Sequence, residues 1–170
     1  MEKKYKLTDE PVIINDRTLY RIEALMDFSD VKKGDKGGFI EKEDNLSQYG
    51  DCWVYDNAEV YDNAKVYDNA KVYGNAEVRG NAVVLDNARV YGSAKVFGDA
   101  SVYFNAEIYD NAEIFGDCWV YGNAQVYGKA AVYGNAEVYG YAKIYDKAMV
   151  YDNAEIYGNM EVCDKTEICE

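Results

Sequence analysis

The chain contains no histidine, so it lacks the side chain that most often serves as a general base or metal ligand near neutral pH. Its candidate nucleophiles are four cysteines, Cys52, Cys118, Cys163 and Cys169, none of them in a Cys-x-x-Cys pair. Cys52 and Cys118 stand where neighbouring repeats carry Ala, which predicts small buried thiols. Cys163 and Cys169 replace Tyr and read as free, partly exposed thiols. The stretch Gly34-Asp-Lys-Gly-Gly38 has the composition of a phosphate-binding loop without its spacing or a following helix, so a hairpin turn is expected there. Acidic residues are abundant, but none leaves the solvated pattern of its neighbours enough to be nominated as a carboxylate base. On these grounds the expectation is a protein that is not an enzyme, with no catalytic residue, no metal site and no cofactor.

What remains is a set of aromatic and apolar side chains recurring at a fixed interval, and that interval defines the elements that position them. From Cys52 onward the chain repeats a hexad, roughly Ala-x-Val-Tyr-Gly/Asp-Asn, with nothing inserted or deleted. The third position, from Val54 through Val162 to Ile168, is Val or Ile in all twenty copies; the first is Ala in sixteen, the exceptions being Cys52, Cys118, Met160 and Thr166. Such constancy requires stacking, because one hexad alone buries nothing. Small, polar, aliphatic and aromatic residues in succession give the in–out alternation of a short strand. The following Asp/Gly-Asn supplies a corner that accepts left-handed backbone angles.

This pattern, in which Val54 is followed four residues later by Ala58 and so on over 46–170, resembles that of the hexapeptide-repeat family. The resemblance implies an all-β fold: a left-handed parallel β-helix shaped as a triangular prism, three hexads per coil, with about six to seven coils. At about 4.8 Å per stacked strand the prism would be about 30 Å long. The handedness rests on the resemblance alone, since ordinary crossovers favour the right hand. Residues 1–45 are expected to form an N-terminal β capping segment, with a strand over Arg17–Leu25 and a turn into another strand over Val31–Ile40. Asp27-Phe-Ser-Asp-Val and the segment from Gly37 to Leu46 resemble the leader of bacterial and phage hexapeptide-repeat proteins of unclear function. Acyltransferases of the family use a histidine base and its carbonic anhydrases bind zinc through three histidines, so neither role can be carried to a residue here. Met160, with Glu161, Asp164, Glu167 and Glu170, is expected to close the core at the far end and repel further stacking.

With three hexads per coil, residues eighteen apart lie above one another and the outward side chains sort into three faces. The first presents a tyrosine ladder, Tyr55, Tyr73, Tyr91, Tyr109, Tyr127 and Tyr145. Stacked rings of this kind stabilise coil pairing and could also form a platform for a protein or a glycan. The second is mainly acidic at its polar position. On the third, charged residues give way to Val83, Leu85, Ser101, Tyr103, Trp119 and Tyr121, an uncharged patch over three coils that Phe104 extends at the corner. Apolar patches of this type mark subunit or partner contacts.

The net charge of −13 lies mostly in the repeat and disfavours DNA, RNA and anionic lipid as partners. The opening residues lack an apolar targeting core, and no apolar run approaches membrane-spanning length, so a cytoplasmic location is expected. The function that follows is a rigid, non-catalytic binding or scaffold protein acting through a flat β-helix face, by self-association as a dimer or trimer or by contact with another protein. An inhibitor of a host or competitor protein is one form of this. An acyltransferase-like enzyme and a glycan binder on the aromatic ladder are the alternatives.

Overall fold

A computed structural model describes residues 2–169. Three N-terminal strands, β1 (Tyr5–Ile14), β2 (Arg17–Ala24) and β3 (Lys36–Ile40), form an antiparallel meander. After a short 3-10 turn at Glu43–Asn45, every hexad contributes a strand of two or three residues. These build three parallel sheets. One runs from Trp53–Val54 to Glu161–Val162 on the first face, and one from Lys65–Val66 to Glu155–Ile156 on the third. The second-face sheet runs from Glu59–Val60 to Glu167–Cys169 and continues into the N-terminal meander through β3. The chain is thus an all-β solenoid of stacked parallel coils. Among the described residues no helix is long and apolar enough to cross a membrane.

The sequence period becomes backbone register directly. Lys71 pairs with Trp53 and Arg89, and Ser101 with Val83 and Trp119, each partner eighteen residues away. The Val/Ile column and the Ala column turn inward and are almost completely buried along the solenoid. Corners take the left-handed conformation with either Asp or Gly, as at Asp62 (φ 59°) and Gly74 (φ 73°). Asp tolerates this region because its short polar side chain bonds locally; the Asp56 carboxylate accepts the amide of Gly74 one coil on, at 3.0 Å. The following Asn side chains also link coils, as Asn69 donates to Asn87 at 3.2 Å.

Parallel stacking begins upstream of residue 46: Phe39 and Ile40 of β3 pair with Glu59 and Val60, and Leu46 bridges Val66. These partners are twenty residues apart, whereas Trp53 and Lys71 are eighteen apart. Two extra residues therefore sit between Leu46 and Trp53. The widened turn directs the carbonyls of Tyr49, Gly50 and Cys52 at the buried Lys4 ammonium, at 3.4, 3.2 and 2.9 Å, which satisfies a charge that burial would otherwise penalise. Burial lowers the Lys4 pKa. Above this turn Tyr5 and Phe28 pack edge-on against Trp53, so Trp53 is buried by the cap instead of lying on a solvated face. Tyr61 is likewise covered, packed with Leu19 and Phe39.

The far end differs from expectation. Met160 is 43% exposed and does not close the core, while Val162 and Ile168 supply its last apolar contacts. Glu170 lies outside the described residues.

The junction of cap and solenoid is a close backbone approach. A Cβ at Gly38 would stand 2.5 Å from the Ala58 carbonyl oxygen and 2.7 Å from a Val54 methyl. Backbone cannot yield there as a flexible side chain would, so Gly38→Ala should destabilise the fold by about 1–3 kcal/mol, the usual cost of overpacking. Chemical denaturation monitored by circular dichroism measures it.

Candidate functional site

The third face is built by arithmetic. Strands at Val83–Val84, Ser101–Val102 and Trp119–Val120 lie side by side, so Val83, Ser101 and Trp119 form one outward row. Two residues on, Leu85, Tyr103 and Tyr121 form a second row, with the Tyr103 and Tyr121 rings stacked at 4.9 Å. Val83, Leu85, Tyr103 and Tyr121 are half-buried by their neighbours, whereas Trp119 is 45% exposed. Between the tall indole and the short Val83 and Ser101 side chains lies a hollow of about 320 Å³, which Tyr67, Leu85 and Tyr103 also line.

Phe104 occupies the adjoining corner, 52% exposed, its ring 5.2 Å from that of Tyr103. Its φ is +57°, in a position where other coils carry Asp or Gly. A bulky residue without a local hydrogen-bonding side chain is disfavoured there, at a cost on the order of 1–3 kcal/mol. The six residues singled out on this face are therefore brought together on adjacent coils.

The first-face ladder stacks from Tyr73 through Tyr91, Tyr109 and Tyr127 to Tyr145, with ring centroids 4.7–5.1 Å apart and planes within 5°. Tyr55 departs from the expected run of six: it meets Tyr73 edge-on at 84°. Its hydroxyl donates to Asp30 at 2.9 Å, and the Lys71 ammonium donates to the same carboxylate oxygen at 2.6 Å. The cap loop thus reaches down to the first face and, with Asp56, Tyr73 and Arg89, encloses a cleft of about 290 Å³. No periodic signal marks Asp30, and the sequence reading did not single it out; the only trace was the non-repeating Asp27-Phe-Ser-Asp-Val segment.

The hydrogen bond from Lys71 lowers the Asp30 pKa to about 2. Burial, then the bond to Asp30, raises that of Tyr55, so the pair is a fixed anion beside a neutral phenol at neutral pH. Cys52 and Cys118 are buried as expected, and burial pushes the Cys118 thiol up to about 12, far from nucleophilic. Cys163 is half-buried and Cys169 exposed.

No family model matches the chain. A stretch of 62 residues is 40% identical to the protein named uncharacterized acetyltransferase YdcK of Escherichia coli (strain K12), covering 32% of this chain and 19% of that protein. The chain therefore spans about a fifth of that relative's length. This finding corrects the expectation, drawn from the missing histidine, that the chain is not an enzyme: a similar 62-residue stretch belongs to a protein named as an acetyltransferase. Together with the stacked hexads it supports a hexapeptide-repeat β-helix.

Because the Asp30 pKa is depressed on folding, its contribution is complete above the unfolded value near 4 and is lost as pH falls through about 2. Asp30→Asn should lower stability at pH 7 by under about 1 kcal/mol, since the carboxylate is largely exposed. The gap to the wild type should close between about pH 4 and 2; denaturation midpoints of both proteins across that range measure it.

Proposed function

We propose that the third face is a protein-binding surface and that the chain works by presenting it rigidly. The observation that carries this reading is the exposed Trp119 beside an uncharged hollow, continuous with Phe104, on a protein whose other surface is strongly acidic. Large aromatic anchors flanked by a pocket are the commonest energetic centres of interfaces. A stiff solenoid loses little conformational freedom on contact, so a modest patch can suffice. The uncharged patch also lets an acidic protein bind without bringing its carboxylates against a partner.

A second reading, acyl transfer, is favoured by the name of the relative with a similar 62-residue stretch. On that reading the cleft between the cap loop and the first face, where Lys71 and Arg89 meet Tyr73, is a concave place for a small acceptor.

Trp119→Glu decides the first reading. It should change the mass measured by light scattering, or remove proteins that the wild type captures from its host extract, while leaving the circular dichroism spectrum and melting temperature near wild type. Identical mass and identical capture for the two proteins would overturn it. Steady release of free thiol from acyl-CoA donors in the presence of hydroxyl and amine acceptors would establish the second reading, and no release above the uncatalysed rate would remove it.

A further inference from the structure

The third face carries a charge and shape pattern along the solenoid axis that is complementary to its own reverse. Its polar row reads Lys65, Val83, Ser101, Trp119, Glu137 and Glu155, one residue per coil, and the first five carry the pattern. Lys65 is exposed and has no ion-pair partner among the described residues. Turned end for end about Ser101, the row sets Lys65 against Glu137 and the short Val83 against the tall Trp119. The aromatic row obeys the same rule: Leu85 meets Tyr121, and Tyr103 meets itself.

We propose that this face binds a second copy of the chain in an antiparallel two-fold dimer, the axis lying in the face along the Ser101–Val102 strand and through the Phe104 corner. The inference rests on the protein-binding reading of the face and names its occupant. Each Trp119 indole enters the hollow over Val83 of the other copy, and two Lys65–Glu137 pairs close the rim. A parallel arrangement is disfavoured by the same rows, because it sets coils of equal height together and leaves Glu137 near Glu137 and Lys65 near Lys65. The two-fold is isologous, so each contact is made twice from one surface.

Phe104 supplies an independent observation. It lies on the axis coil, where the two copies bring the same residue together, and it is an exposed aromatic held at φ +57°. Nothing within the coil requires it, since Asp or Gly forms the equivalent corners. A strained, exposed ring at the centre of the symmetric surface is accounted for by contact with its own copy.

Five coils at about 4.8 Å give a face about 24 Å tall. Four extended residues make it about 13 Å wide, so its area of about 300 Å² falls below that of a standard stable interface, about 800 Å² per partner, and the dimer is a reversible one. Sedimentation equilibrium of the wild-type chain from a few micromolar to a few hundred micromolar should therefore show a monomer–dimer equilibrium.

Lys65→Glu and Glu137→Lys should each weaken it, and the double swap should restore it, because antiparallel packing puts the two positions in contact. In a parallel dimer they would stand about 19 Å apart and the swap would rescue nothing. Phe104→Gly should weaken dimerisation about tenfold or more while raising the melting temperature of the dilute monomer by about 2–4 °C, which separates loss of contact from loss of fold. A trimer, or a dimer that the double swap fails to restore, would overturn the antiparallel assignment. A wild type that stays monomeric throughout, while Trp119→Glu still loses a captured protein, would overturn the second-copy inference and leave the protein-binding reading of the face standing.

Discussion

Every strand of the repeat depends on a backbone bond between residues seventeen apart, as from the Tyr55 amide to the Val72 carbonyl and from the Tyr73 amide to the Val90 carbonyl. A two-residue strand has no stability by itself; it persists because the coils on either side fix its register. This condition explains the intolerance of the hexad to insertion. One extra residue would move the next Val from the core to the surface and carry every later coil with it. It also explains why the corners, Phe104 apart, are Asp or Gly: both reach the left-handed turn that keeps the next strand in step, at small cost.

The ladder has to begin somewhere, and its beginning differs from its continuation. The first coil is two residues longer, and the carbonyls this frees are taken up by Lys4 from the cap. Tyr5, Phe28 and Trp53 cover the first turn with aromatic surface, and the meander moves the edge of the second-face sheet outward to β1, which pairs on one side with β2. The cap then imposes its chemistry on the first face, turning Tyr55 out of the stack to satisfy Asp30. Local departures from the repeat are therefore the marks of a boundary condition, and the cleft beside Lys71 and Arg89 is its by-product.

The repeat was almost wholly legible in the sequence because a period of six fixes strand, corner, face and height for each residue by number alone. Val83, Ser101 and Trp119 could be placed on one row before any coordinates, and the register confirms that placement. The cap was legible only in part. The strands β2 and β3 follow from their apolar residues and the glycine turn, but β1 spans Pro11 and shifts register between Leu7 and Pro11, which hides its alternation. Asp30, Lys4 and the extra residues after Leu46 act through contacts between non-repeating segments, for which no sequence period exists. Met160 misled for a related reason: size alone suggests a plug, yet among the described residues none packs over it to bury it.

Separation of inward from outward positions also frames what similarity to another repeat protein can carry. A hexad holds its small and aliphatic positions nearly constant and its corner almost so. Two chains of this kind therefore share many residues wherever their coils are in phase, and 40% identity over 62 residues speaks first for a common coil. Binding and chemistry depend on the outward positions, which can change without disturbing the core. In this chain those positions are most unusual in two places: at the cap, where Asp30 meets Lys71, and around Phe104, where an exposed ring is kept in a backbone region that favours glycine. Strain of that kind persists where the surrounding structure over-determines it. At Phe104 the stacked coil does so: the amide donates to the Asp86 carboxylate at 3.1 Å, the carbonyl accepts from the Asn87 amide at 2.8 Å, and the ring lies 5.2 Å from that of Tyr103. The register of the ladder therefore holds a residue at this corner that the corner's own backbone preference would reject, and it is left facing outward.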